Sequence, residues 1–222
     1  MLTKPRSLLS DTSSMPNPSW SQTAGPSYCG AYRGGKRSVC KSCYAGKGRF
    51  TFPNVRGANE RRYEWFHSAP REVVVHTLAG EYAGQRLARA FVSGDFWHPR
   101  CVLVWRDVVK TTGAGTSWWF PTRVWLKEEY HQPLMDLNAL PNVVVRLSNE
   151  KVDEPVPEEV REKLGISTVS TVYEDKKYSC PKQVSHTNCT NAGCERCWDG
   201  NVKETTYLLT GGEVNWKRKR NE

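Results

Sequence analysis

Residues 142–148 read NVVVRLS. Three consecutive β-branched residues, Val143 to Val145, leave no polar face, so the segment reads as a strand buried on both sides. On its N-terminal side, RVWLKEEYHQPLMDLNALP (123–141) reads as helical with a break at Pro133. On its C-terminal side, PEEVREKLG (157–165) reads as a short helix stopped at Gly165, followed by the strand ISTVSTVY (166–173). The same alternation extends upstream. TSWWFPT (116–122) is a strand, and PRCVLVWRDVVKTT (99–112) carries Val102, Trp105, Val108 and Val109 as an apolar stripe at helical spacing. RAFVSG (89–94) is a strand ending at Ser93-Gly94-Asp95. Before it, REVVVHTLAGEYAGQRLA (71–88) divides the evidence. Val73 to Val75 favour a strand, whereas the spacing of Val74, Leu78 and Tyr82 suits a helix, which is the reading adopted. GANERRYEWFHS (57–68) is helical, and ETTYLLT (204–210) is a last strand.

Strands near residues 90, 118, 144, 169 and 207, with helices in the crossovers through residue 165, predict an α/β fold. The expected architecture is a partial (β/α) barrel or an open, mostly parallel sheet. Ligands of such sheets sit at the carboxyl ends of the strands. Ser93-Gly94-Asp95, Thr122-Arg123 and Ser148-Asn149-Glu150 would therefore share one rim.

The chain divides into an extended or disordered arm over residues 1–27, rich in Ser, Pro, Thr and Asn, one domain over 28–216, and a basic tail over 217–222. No segment approaches the ~20 apolar residues of a membrane span, and the N-terminus has no secretory pattern. The expected location is a reducing cytoplasm, where disulfides are a poor reading of eight cysteines. The net charge of +9 lies entirely in residues 1–62, which hold eleven Lys or Arg against Asp11 and Glu60. Such asymmetry attracts phosphate or nucleic acid, although a solvated basic surface accounts for the same charge. For DNA or RNA, Lys36, Arg37, Lys41, Lys47, Arg49, Arg56, Arg61 and Arg62 would track phosphates, and Tyr32, Tyr44, Phe50 and Phe52 would stack on bases. No standard finger or helix-turn-helix pattern is present.

The cysteines form two groups. Cys29, Cys40 and Cys43 lie in the glycine-rich basic segment 28–50, and Cys180, Cys189, Cys194 and Cys197 lie within 180–197. Each group contains a C-x-x-C, whose spacing lets one turn of backbone wrap a metal or an iron corner. The spacing predicts metal-binding loops at the strand rim, with zinc and an iron–sulfur cluster both open. His186 is a further candidate ligand, or a residue that orients its loop. Cys101 reads as a packed thiol.

The segments CKSCYAGKGRFTFPNVRGANERRYEW, FVSGDF, PNVVVRLSN and CPKQ…CTNAGCERCW resemble the gene-product-88 domain of mycobacteriophages and their relatives, over roughly residues 25–210. That family in turn resembles, distantly, the radical SAM enzymes, whose partial barrels carry a [4Fe-4S] cluster held by three cysteines. The resemblance implies a cluster on Cys29, Cys40 and Cys43, with a second cluster or zinc on Cys180, Cys189, Cys194 and Cys197. Cys43-Tyr44 matches the aromatic that follows a C-x-x-C in those enzymes. It further implies SAM against Gly94 and Asp95, with Asp95 accepting from its ammonium and Arg123 pairing with its carboxylate, and Ser93 and Ser148 orienting substrate. His98 would be a supporting donor. The departure is the ten residues between Cys29 and Cys40, where those enzymes have three. The alternative for Asp95 is a helix N-cap before FWHPRCVLV, and for Arg123 a surface salt bridge. The alternative for the whole chain is a nucleic-acid-binding phage protein whose metal is structural.

Overall fold

The computed structural model describes residues 4–11, 16–175, 179–184 and 187–209. Two short strands, β1 (Leu9–Ser10) and β2 (Ser19–Trp20), pair antiparallel in the N-terminal arm. Helices α1 (Pro53–Ser68) and α2 (Arg71–Tyr82) follow, then β3 (Leu87–Arg89), α3 (Pro99–Thr112), β4 (Ser117–Thr122), α4 (His131–Asn138), β5 (Val143–Ser148), α5 (Glu158–Leu164), β6 (Val169–Tyr173), the one-turn α6 (Pro181–Val184) and β7 (Glu204–Leu208). Strands β3 to β7 form one sheet in sequential order, every pair parallel. Helices α1 to α5 pack in one core on one face of the sheet. The result is a curled, five-stranded parallel half-barrel, the α/β architecture expected.

The outer face of the sheet carries the large core. Trp118, Phe120, Val145 and Leu147 from the strands meet Val74 and Leu78 of α2, Val102 and Trp105 of α3, Leu134 and Leu137 of α4 and Leu164 of α5. The alternate residues face inward, where Leu87 and Trp119 pack against Trp198. Pro121 sits inside β4 without cost to the ladder. The backbone of Trp119, of the same parity, faces β3, but β3 ends at Arg89 opposite Trp119. The missing N–H of Pro121 therefore points past the end of its neighbour.

Two local expectations change. Residues 90–94 are not strand. β3 ends at Arg89, Phe91 takes a positive φ of 61°, and the segment is instead held by the arm, with Val92 N–H donating to Trp20 O and Gln22 N–H to Ser93 O. Pro133 does not break a helix. Residues 124–126 and 128–130 form 3-10 turns, and α4 starts at His131. Pro133 thus lies in a first turn, whose N–H groups have no intrahelical acceptor anyway. The arm is packed: Leu8 and Trp20 are fully buried, and Trp20 N–H donates to the Tyr82 hydroxyl at 2.9 Å. The basic tail 217–222 and His186 lie outside the described residues.

Candidate functional site

The C-terminal rim of the half-barrel is built by the turns that leave its strands. Asp95 follows β3 and is buried. Its Oδ1 accepts from Thr122 Oγ1 at 2.6 Å and from its neighbour Phe96 N–H at 2.8 Å, and its Oδ2 accepts from Arg123 N–H at 2.9 Å. These bonds tie the β3 exit to the β4 exit. Burial pushes the Asp95 carboxyl above its ordinary range, opposed by the three donors. Asp95 does not cap α3. That role belongs to His98, whose Nδ1 accepts from Arg100 N–H at 3.1 Å. Nor is Arg123 in a surface salt bridge. Its Nε–H donates to Asn149 O at 2.9 Å, and its Nη1 lies 3.7 Å from Cys40 Sγ.

Arg123 and Asp95 line one cleft with Cys29, Cys40, Cys43, Gly94 and Tyr32. Every cysteine of the first group thus meets the ends of β3 and β4. The segment that carries them is pinned from outside. Val39 N–H donates to Glu150 O, and Ser38 bridges Lys151 beyond the end of β5. Gly30 approaches so closely that a Cβ there would lie 2.7 Å from Phe96 O and closer still to the Tyr130 hydroxyl. Gly94, at φ +84°, has no room for a side chain because Gln22 Cγ would be 2.5 Å away. Its role is to let the arm cross the rim. Ser93 is likewise committed to the arm, donating to Gln22 O at 2.6 Å. Ser148 stands outside the cleft, its carbonyl accepting from Trp125 Nε1 at 2.8 Å. Its neighbour Asn149 holds Arg123 instead, a contribution that no local pattern marked.

The second cysteine group lies elsewhere. A 3-10 turn, Arg196–Trp198, drops Trp198 onto the inner face of the sheet, where its Nε1–H donates to Ala88 O at 2.7 Å. Arg146, 0% exposed, points from β5 into the same turn and donates to the carbonyls of Arg196, Cys197 and Asp199 at 2.7, 3.0 and 2.9 Å. The Cys197 thiol meets the Tyr207 hydroxyl at 3.3 Å, and burial raises its pKa to about 11.

These placements overturn the expected cofactors. Among the described residues no group of three or more His, Cys, Asp or Glu is disposed to hold a metal ion, and all eight cysteines are thiols outside any disulfide. The [4Fe-4S] clusters and the zinc are therefore withdrawn for Cys29, Cys40 and Cys43 and for Cys180, Cys189, Cys194 and Cys197 alike. SAM, which was to sit on such a cluster, goes with them. The C-x-x-C spacing limits how far apart two sulfurs can lie, but packing decides where they point. Burial holds Cys29 and Cys43 above the ordinary thiol range, Arg123 opposing it at Cys43, and Cys197 turns toward Tyr207. Cys101 is a packed thiol, buried in α3 and raised by that burial to about 12.

Beside the cleft lies a basic surface. Arg33, Lys36, Arg49, Arg56 and Arg61 are exposed. Among the described residues, Tyr44 and Phe52 are the most exposed large aromatics, at 47% and 54%. The Tyr44 ring stands 5.6 Å from that of Phe50, and its hydroxyl donates to Val92 O while accepting from Arg89 Nη2. Two expected phosphate contacts are committed elsewhere. Arg62 is buried and donates to Ser7 O, Leu9 O and Asn59 Oδ1, which fastens the arm to α1. Arg37 pairs with Asp153 and Glu174. Among the described residues, no helix is long and apolar enough to cross a membrane.

No curated protein and no solved structure matches the chain, and nothing supports the expected likeness to radical SAM enzymes. The family model for gene product 88 matches residues 11–206. That span covers the arm from residue 11, the cleft, the basic surface and the sheet into β7, and the chain belongs to the gene product 88 family of phage proteins.

Proposed function

We propose that this phage protein binds single-stranded DNA or RNA on the surface formed by residues 33–61, within the reducing cytoplasm of the host cell. The observation that carries the reading is the exposure of Tyr44 and Phe52 amid Arg33, Lys36, Arg49, Arg56 and Arg61. Exposed rings offer stacking to any base, and the cations offer contacts to the backbone between bases. Tyr44 is suited to that task because its hydroxyl bonds hold the ring in place while the residue stays 47% exposed. Less side-chain freedom is then lost on binding. A duplex hides its base faces, so the aromatic pair favours a single strand.

The test is fluorescence anisotropy with labelled single-stranded DNA and RNA across a salt series. With about four phosphate contacts, affinity falls roughly 50-fold between 50 and 200 mM salt, because the single-strand slope is about −0.7 per contact. Replacing Lys36, Arg49, Arg56 and Arg61 with Gln flattens that slope. Weak binding that is insensitive to salt, and equal in the two proteins, refutes the proposal.

A further inference from the structure

We propose that the cleft at Arg123 receives the terminal phosphate of the bound strand, a phosphomonoester whose charge the guanidinium neutralises. This rests on the nucleic-acid reading for the identity of the strand, but not for the chemistry of the cleft. Arg123 donates through Nε to Asn149 O and lies near Cys40 Sγ through Nη1. It forms no ion pair with a carboxylate among the described residues. A recessed guanidinium without a paired carboxylate is costly to bury unless an anion joins it. Asp95 offsets part of that charge from a distance but does not pair with the guanidinium. Asp95 spends both oxygens on Thr122, Phe96 and the Arg123 backbone. Asn149 and the Asp95 clamp fix Arg123 from two sides, which aims its remaining N–H groups without further ordering.

Size and position narrow the ligand. The cleft is about 50 Å³, several times the ~10–15 Å³ that one water requires. That admits an oxyanion group. An internal phosphodiester carries a chain on both sides and would have to pull that chain into the rim. A terminal phosphate protrudes, and carries more charge at neutral pH. The stacking surface is adjacent, since Cys43 lines the cleft and the next residue, Tyr44, presents its ring to solvent. A base stacked on Tyr44 therefore brings its own phosphate to the mouth of the cleft.

Two experiments on the full chain test this. In the first, N-ethylmaleimide labelling of Cys40 and Cys43 is followed by peptide mass spectrometry with and without inorganic phosphate, with Cys194 as the internal reference. Phosphate at about twice its Kd slows labelling in the cleft roughly threefold and leaves Cys194 unchanged. In the second, oligonucleotides of one sequence carrying a 5′-phosphate, a 3′-phosphate or no phosphate are compared by anisotropy. One phosphorylated end binds about tenfold more tightly than the hydroxyl end, and Arg123→Met erases the preference. The double variant Tyr44→Ala, Phe52→Ala weakens all three oligonucleotides and keeps the preference. Phosphate protection without binding of any oligonucleotide would overturn the nucleic-acid reading and leave the phosphate site standing. Oligonucleotide binding without end preference, together with unprotected cysteines, would overturn the cleft. Should Arg123→Met fail to fold, the wild-type arms of both experiments decide.

Discussion

The two cysteine-rich segments look alike in sequence and do opposite things in the fold. Residues 28–50 lie along the open rim, pinned to the β5–β6 crossover, and bring three thiols to an accessible cleft beside Arg123. Residues 189–199 follow the one-turn α6 in the β6–β7 crossover and cover the inner face of the sheet with Trp198. The first segment borrows a polar environment that other strands have built. The second is itself part of a small core and is stapled there by Arg146. Spacing between cysteines thus says little about their role. What matters is whether the loop lands on a strand end, where polar groups converge, or on a sheet face, where apolar ones do.

The largest expected effect lies in the second segment. Trp198→Ala removes the ring packed on Leu87 and Trp119 and leaves Ala88 O without its donor. A loss of about 3–5 kcal/mol in urea unfolding is expected. Arg146→Met strands three carbonyls and costs about 3 kcal/mol, at ~1 kcal/mol for each lost acceptor contact. If either change proved silent, the inner-face core would be wrongly placed.

The first segment responds in binding rather than in stability. Tyr44→Ala with Phe52→Ala lowers affinity for single strands by about 2–3 kcal/mol at ~1 kcal/mol or more per stacked base. Its unfolding midpoint moves little, because both rings are half exposed. A large stability loss with unchanged affinity would reverse the contrast between the segments.

A smaller effect is expected at Asp95. Burial holds its carboxyl above the ordinary 3.8, so the folded protein keeps that proton more tightly than the unfolded chain does. The resulting stabilisation is complete below about pH 4 and is lost as pH rises through the raised folded value. The stability of the wild type relative to Asp95→Asn should therefore decline as pH rises through the carboxylate range. Urea titrations at several pH values measure it, and a pH-independent difference would contradict the burial. The smallest effect is at Cys194, half-buried in the second loop. Cys194→Ser stays within ~0.5 kcal/mol of wild type. A collapse on that single change would restore a shared role for the thiols of the second group.

Much of the rim was legible before the fold was known. Cys29, Cys40, Cys43, Gly94, Asp95 and Arg123, singled out from strand ends and cysteine spacing, do line one cleft. Their chemistry was less legible. A cysteine pattern constrains separation along the chain, whereas ligation needs the sulfurs to converge. The commitments of Asp95 to Thr122 and of Arg62 to the arm depend on residues that are distant in sequence. The same holds for His98, which caps α3 in place of Asp95. Both residues precede the same Pro99, and only the backbone angles at His98 select between them.

Periodicity alone determined the alternation of strands and helices. Val143 to Val145 required burial on both faces, and the stripe from Val102 to Val109 required one. Composition alone placed the positive charge in residues 1–62. Tertiary structure decided the rest. It ended β3 at Arg89, because the crossing arm takes the hydrogen bonds of Val92 and Ser93. It turned Gly94 from a ligand contact into a passage for Gln22. It buried Arg62 and left Tyr44 open, although both lie in the same basic segment. Local sequence sets which conformations are cheap, but which polar groups remain available depends on partners brought together only when the chain closes.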